Sequence, residues 1–147
     1  MVCSHGALAA VPQGAMFPEG ESILYSRVLQ AYHAGQLPEL KRSNEMLQKY
    51  FPQSTLVDNA YYYKGLLEMQ KGYLPEALHT FDIVDKQFPL SNKRAGSLFA
   101  KGIVLQKLNM GSTAQSVFKR LIENYPGSVE ALRAKNELRL MKGSGTS

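Results

Sequence analysis

Three histidines and a single cysteine are the side chains of this 147-residue chain best suited to holding a metal or attacking a bond. Their placement argues against both. His5, His33 and His79 have no Cys, Asp or Glu at ligand-like spacing, and no glycine-rich phosphate loop or nucleophile motif accompanies them. Cys3 is alone, so no internal disulfide, cysteine metal site or redox pair can form from this chain. No catalytic residue, metal or cofactor is expected. What recurs instead is apolar. Tyr25, Tyr62 and Phe99 stand at one fixed interval, Leu29, Leu66 and Ile103 at the same interval, and Tyr32 and Met69 continue it until Gln106 takes the third place. Such ladders suit noncovalent recognition of an apolar or amphipathic segment, with His33 beside Tyr32 as a further candidate contact. The competing reading is ordinary packing between helices, and for His33 a solvated surface side chain.

The elements that position these side chains are set by punctuation. Phe51-Pro52-Gln53-Ser54, Phe88-Pro89-Leu90-Ser91 and Tyr125-Pro126-Gly127-Ser128 share the form aromatic-Pro-x-Ser and recur in one register. In that register Gly35 coincides with Gly72, Gly65 with Gly102, Ala77 with Ala114 and Phe81 with Phe118. A repeat of this length marks a solenoid. Proline ends a helix and the serine after it can cap the next. Tyr62, Leu66 and Met69 keep helical spacing up to Lys71-Gly72, after which Leu74-Pro75-Glu76 opens a partner helix. The spacing predicts helices at about 20–34, 38–50, 55–71, 75–87, 92–108, 111–124 and 129–142, and no strand. The last of these, with Arg133, Lys135, Glu137, Arg139 and Lys142, reads as a capping helix.

Composition bounds the rest. With 44% hydrophobic and 20% charged residues the chain reads as a folded protein, and no apolar run is long enough to cross a membrane, so direct insertion is not expected. The net charge of +5 lies wholly in the second half, since acidic and basic residues balance up to Tyr73. That asymmetry, with Lys93-Arg94 and Lys119-Arg120, raises single-stranded nucleic-acid binding as an alternative from another class. The alternation with Glu123, Glu130 and Glu137 is the pattern of a solvated helix face, and no nucleic acid is expected. Residues 1–19 read as a flexible segment without the basic start of an export signal, although Ala7-Leu8-Ala9 has the small-x-small form of a cleavage site. Residues 143–147 read as a flexible tail.

Gly65, Gly72, Ala77, Phe81 and Pro89, matched by Gly102, Ala114, Phe118 and Pro126, resemble the tetratricopeptide repeat. The first unit is degenerate, with Val28, Leu40 and Asn44 where Gly, Ala and an aromatic are typical. The resemblance implies an all-α, right-handed α-solenoid over 20–142, with repeats at about 20–54, 55–91 and 92–128 and the cap at 129–142. The long interval, with Asn59-Ala60-Tyr61-Tyr62-Tyr63-Lys64-Gly65, is similar to the carboxy-terminal repeat domain of the periplasmic Tol-Pal-associated (YbgF/CpoB) family. That resemblance implies a noncatalytic adaptor in the periplasm that binds the TolA component during outer-membrane constriction at division. A cytoplasmic scaffold and an outer-membrane-assembly repeat protein are the alternatives, and self-association stays open beside a foreign protein or peptide partner. The inner wall lacks the Lys and Asn constellation of repeat domains that clamp a chain-terminal carboxylate. One departure stands out: Arg27, Lys64 and Lys101 occupy the position before the mid-helix small residue, where an apolar side chain is usual, so these cations either snorkel or mark a rotated helix.

Overall fold

The computed structural model describes residues 20–144, so Cys3, His5, the rest of residues 1–19 and the end of the tail lie outside the described residues. Among the described residues there are seven helices and no strand: α1 (Glu21–His33), α2 (Leu37–Tyr50), α3 (Leu56–Gln70), α4 (Leu74–Gln87), α5 (Arg94–Lys107), α6 (Gly111–Asn124) and α7 (Val129–Gly143).

The aromatic-Pro-x-Ser segments are tight turns closed by their own serines. Ser54, Ser91 and Ser128 each donate a backbone N–H to the carbonyl of the aromatic residue three before. Their hydroxyls then cap the start of the next helix, but not identically. Ser128 Oγ accepts from Ala131 N at 3.0 Å, a true N-cap, whereas Ser54 and Ser91 accept from Leu56 N and Lys93 N, only two residues on. An extra turn therefore precedes α3 and α5, and α5 begins at Arg94 rather than near 92.

Within each hairpin the first helix ends in a residue at positive φ: Gly35 at 66°, Gly72 at 82° and Asn109 at 58°. The N–H one residue further on reaches back to Ala31, Glu68 and Leu105 carbonyls at 2.8, 2.9 and 2.9 Å. This is the Schellman arrangement, which satisfies otherwise orphaned carbonyls at the helix end. Asn109 holds the third place because asparagine tolerates the left-handed conformation better than other residues with a side chain.

Consecutive helices pack as antiparallel hairpins, α1 on α2, α3 on α4 and α5 on α6, with α7 on α6. The odd helices also pack on one another in series, α1 with α3, α3 with α5 and α5 with α7, while the backbones of the even helices stay farther apart. One layer is closer-set than the other, so the stack is a solenoid that curves toward its odd helices.

The hairpins lock through a small-against-large fit. Gly65 lies against the ring of Phe81, where a Cβ would come within 2.7 Å, and Gly102 against Phe118, where it would come within 2.3 Å. Ala77, Phe81, Ala114 and Phe118 are fully buried, whereas Pro89 and Pro126 sit exposed in their turns. In the first hairpin the same register positions are Val28 and Asn44, both buried. The bulk has changed sides.

Two of the cations before the mid-helix position, Lys64 and Lys101, reach polar groups of α4. Lys64 Nζ donates to Thr80 Oγ1 at 2.9 Å and lies 3.2 Å from the buried Glu68 carboxylate, which also accepts from Thr80. Lys101 pairs with Asp82. Nearby, buried Asp85 is gripped by Arg94 of α5 and Arg120 of α6, tying three helices at one point.

Candidate functional site

Because the odd helices form the inner layer, the ladder residues fall on it, and the site can be assembled helix by helix. From α3, Tyr62, Leu66 and Met69 project at spacings of four and three; from α5, Phe99 and Ile103 meet them. The far wall is α7, which contributes Glu130, Arg133, Asn136 and Glu137. Together they bound a groove of about 370 Å³.

Glycine at 96 makes the groove. A Cβ there would lie 3.0 to 3.1 Å from the Tyr62 ring and hydroxyl, so Gly96 lets the tyrosine lie flat across from α3 to α5. Tyr62 packs at 6.3 Å from Phe81 and 5.8 Å from Tyr63, with the Lys93 ammonium 5.7 Å from its centroid. Burial, then the nearby Glu130 carboxylate, raises its phenol pKa above 10.0, with Arg133 acting in the opposite direction. The Arg133 guanidinium stands 4.1 Å over Phe99, and Gln106 Nε2 donates to Glu137 Oε2 at 3.3 Å. The result is an apolar floor with a rim of both charges.

Not every ladder residue is available. Phe99 is 7% exposed, stacked on Phe118 at 5.8 Å and roofed by Arg133, so it belongs to the core and supports the floor instead of contacting a visitor. Leu29, Leu66, Ile103, Met69 and Gln106 are half-buried. Tyr25, Leu29, Tyr32 and His33 lie on α1 and do not line the groove. Tyr32 is tied to its neighbours, 5.0 Å from Tyr63 and 5.4 Å from His33, and accepts from Gln70 Nε2 at 3.2 Å. His33 itself is exposed.

Sequence reasoning missed the α7 wall. In the repeat register Asn136 succeeds Phe99, and Arg133 succeeds Gly96, so α7 extends the inner layer. At these two positions it brings an asparagine and a cation where α5 has Phe99 and Gly96. Among the described residues no three His, Cys, Asp or Glu side chains are placed to hold a metal, and no helix is long and apolar enough to cross a membrane. No protein-family model matches the chain, and no curated protein matches it significantly.

Proposed function

We propose that this chain is a noncatalytic adaptor of tetratricopeptide type whose groove between α3, α5 and α7 takes an apolar-faced segment of a partner protein. The observation that carries the reading is the groove itself. Tyr62, Leu66, Met69 and Ile103 are half-buried, so each keeps apolar surface in water beside charged groups on one wall, the composition of a peptide-binding surface. The periplasmic, Tol-Pal-linked version rests on the resemblance of the repeats and names TolA as the first partner to test. Against the nucleic-acid reading stands the use of the basic residues. Arg94 and Arg120 both engage Asp85, Lys101 engages Asp82 and Lys93 lies over Tyr62.

Calorimetric titration of the chain with the periplasmic part of TolA tests the reading. Tyr62→Ala should weaken binding by about 2 kcal/mol, as a central aromatic anchor does. Leu66→Glu should abolish it, with the helical circular dichroism of both variants unchanged. Unaltered binding in both variants would remove the groove from the interaction, and steep loss with salt would transfer support to a phosphate-contacting mode.

A further inference from the structure

A second concavity lies away from the groove, on the edge of the stack where successive aromatic-Pro-x-Ser turns face each other. It encloses about 620 Å³ between the 52–55 turn with the first turn of α3 on one side and the 87–92 turn on the other. Asp58 lines it. The residue is 7% exposed, and its Oδ1 is fully buried without a hydrogen-bond partner. Beside it Asn59 donates its amide to the Thr55 carbonyl, which fixes the opposite end of the side chain, and that Oδ1 is also buried without a partner. Asp58 and Asn59, each with a buried side-chain oxygen that no protein donor meets, thus stand side by side at one cleft. Leaving such groups unmatched is costly, which directs attention to a donor from outside.

The surroundings define that donor. Neighbouring cations are engaged elsewhere, Lys93 over Tyr62 and Arg94 on Asp85 and the Pro89 carbonyl. The ring of Phe88 forms part of the cleft, backed by Tyr61 at 5.9 Å, and Leu90 stands 98% exposed at its mouth. A flat cation with several N–H groups matches two side-by-side acceptors and an aromatic wall better than a point charge does. One repeat earlier Glu21, in the register of Asp58 but exposed, lines a cleft of about 470 Å³ against the 50–55 turn. In the third repeat the register residue is Ala95, and the series stops.

We infer that the cleft between the 52–55 and 87–92 turns binds an arginine side chain of an extended partner segment, with the guanidinium donating to Asp58 and Asn59. It is a contact separate from the groove. The test is amide NMR of the intact chain titrated with acetyl-Gly-Arg-Gly-amide and with its citrulline counterpart, which keeps the shape and loses the charge. The arginine peptide should give saturable shifts confined to residues 52–59 and 87–92. Citrulline, or arginine against Asp58→Asn, should bind at least roughly tenfold more weakly, since a charge-assisted pair is lost. Asp58→Asn should melt at or above the wild-type temperature, because a buried carboxylate oxygen without a donor costs stability. Absence of saturable shifts, equal binding of citrulline, shifts that persist in Asp58→Asn, or failure of that variant to fold would each overturn the inference.

Discussion

At the scale of single residues, the tightest constraints are two glycines that make room for phenylalanine. Replacing either by alanine gains about 1 kcal/mol of helix propensity but drives a methyl into an aromatic ring, and overpacking of this kind costs about 1–3 kcal/mol. The approach is closer at Gly102, 2.3 Å against 2.7 Å at Gly65, and Phe118 is fully buried. Gly102→Ala should therefore destabilise by about 1–2 kcal/mol net and Gly65→Ala by less, read from urea midpoints. Tyrosines supply a second measurement. Tyr25, Tyr61 and Tyr62 are held above the ordinary value of 10.0, first of all by burial. The folded chain thus keeps phenol protons that the unfolded chain has begun to release. Their contribution to stability is complete below pH 10.0 and is lost as the pH rises through the folded values. The urea midpoint should fall above that pH, and Tyr62→Phe should make the fall shallower. An unchanged slope would show that Tyr62 ionises as freely folded as unfolded.

At the scale of elements, most of the helices were legible because their signals are local. Proline, serine and glycine act through backbone geometry that any tertiary context must respect, so each boundary of α1, α2, α4, α6 and α7 falls within a residue or so of expectation. Asn109 was not legible as the third hairpin turn, since only its register with Gly35 and Gly72 marks it and asparagine has many other uses. Phe99 was misplaced for a nonlocal reason: a ladder residue is exposed or covered according to what lies beyond it, and here Arg133 does. The site was half legible, its floor on α3 and α5 readable from spacing and its α7 wall not. The first hairpin shows how a motif can be kept in substance and lost in letters. Val28 and Asn44 stand where Gly and Phe stand elsewhere, so bulk moves from the second helix to the first. Val28→Gly alone should cost about 3 kcal/mol through the cavity and the flexible backbone, and Asn44→Phe alone about 1–3 kcal/mol through overpacking. Combined, they rebuild the pair of the other hairpins, and the double variant should be more stable than the sum by at least about 1 kcal/mol. Strict additivity would mean that the two positions do not meet.

At the scale of the whole molecule, α7, the last of the described helices, differs from α5 in the face it turns outward. Leu98, Gly102 and Leu105 form the buried face that α5 presents to its hairpin partner. One repeat later the same register reads Lys135, Arg139 and Lys142, all exposed. The position that would receive a phenylalanine ring carries a guanidinium instead, so a further helix docking there would have to strip water from three cations, a penalty far larger than its apolar burial returns. Beside them α7 is less guarded, with Val129, Leu132 and Leu140 each more than half exposed. The three cations therefore keep this face of α7 in water. Replacing them with their α5 counterparts, as Lys135→Leu, Arg139→Gly and Lys142→Leu, joins new apolar surface to that of Val129, Leu132 and Leu140 in one large patch, and such patches associate. The triple variant should keep its helical signal and show a higher mass than the wild type by light scattering at equal concentration. The association should strengthen with added salt, as apolar contact does and ion pairing does not. A triple variant with the wild-type mass at every concentration would show that shape, not charge, keeps this face in water.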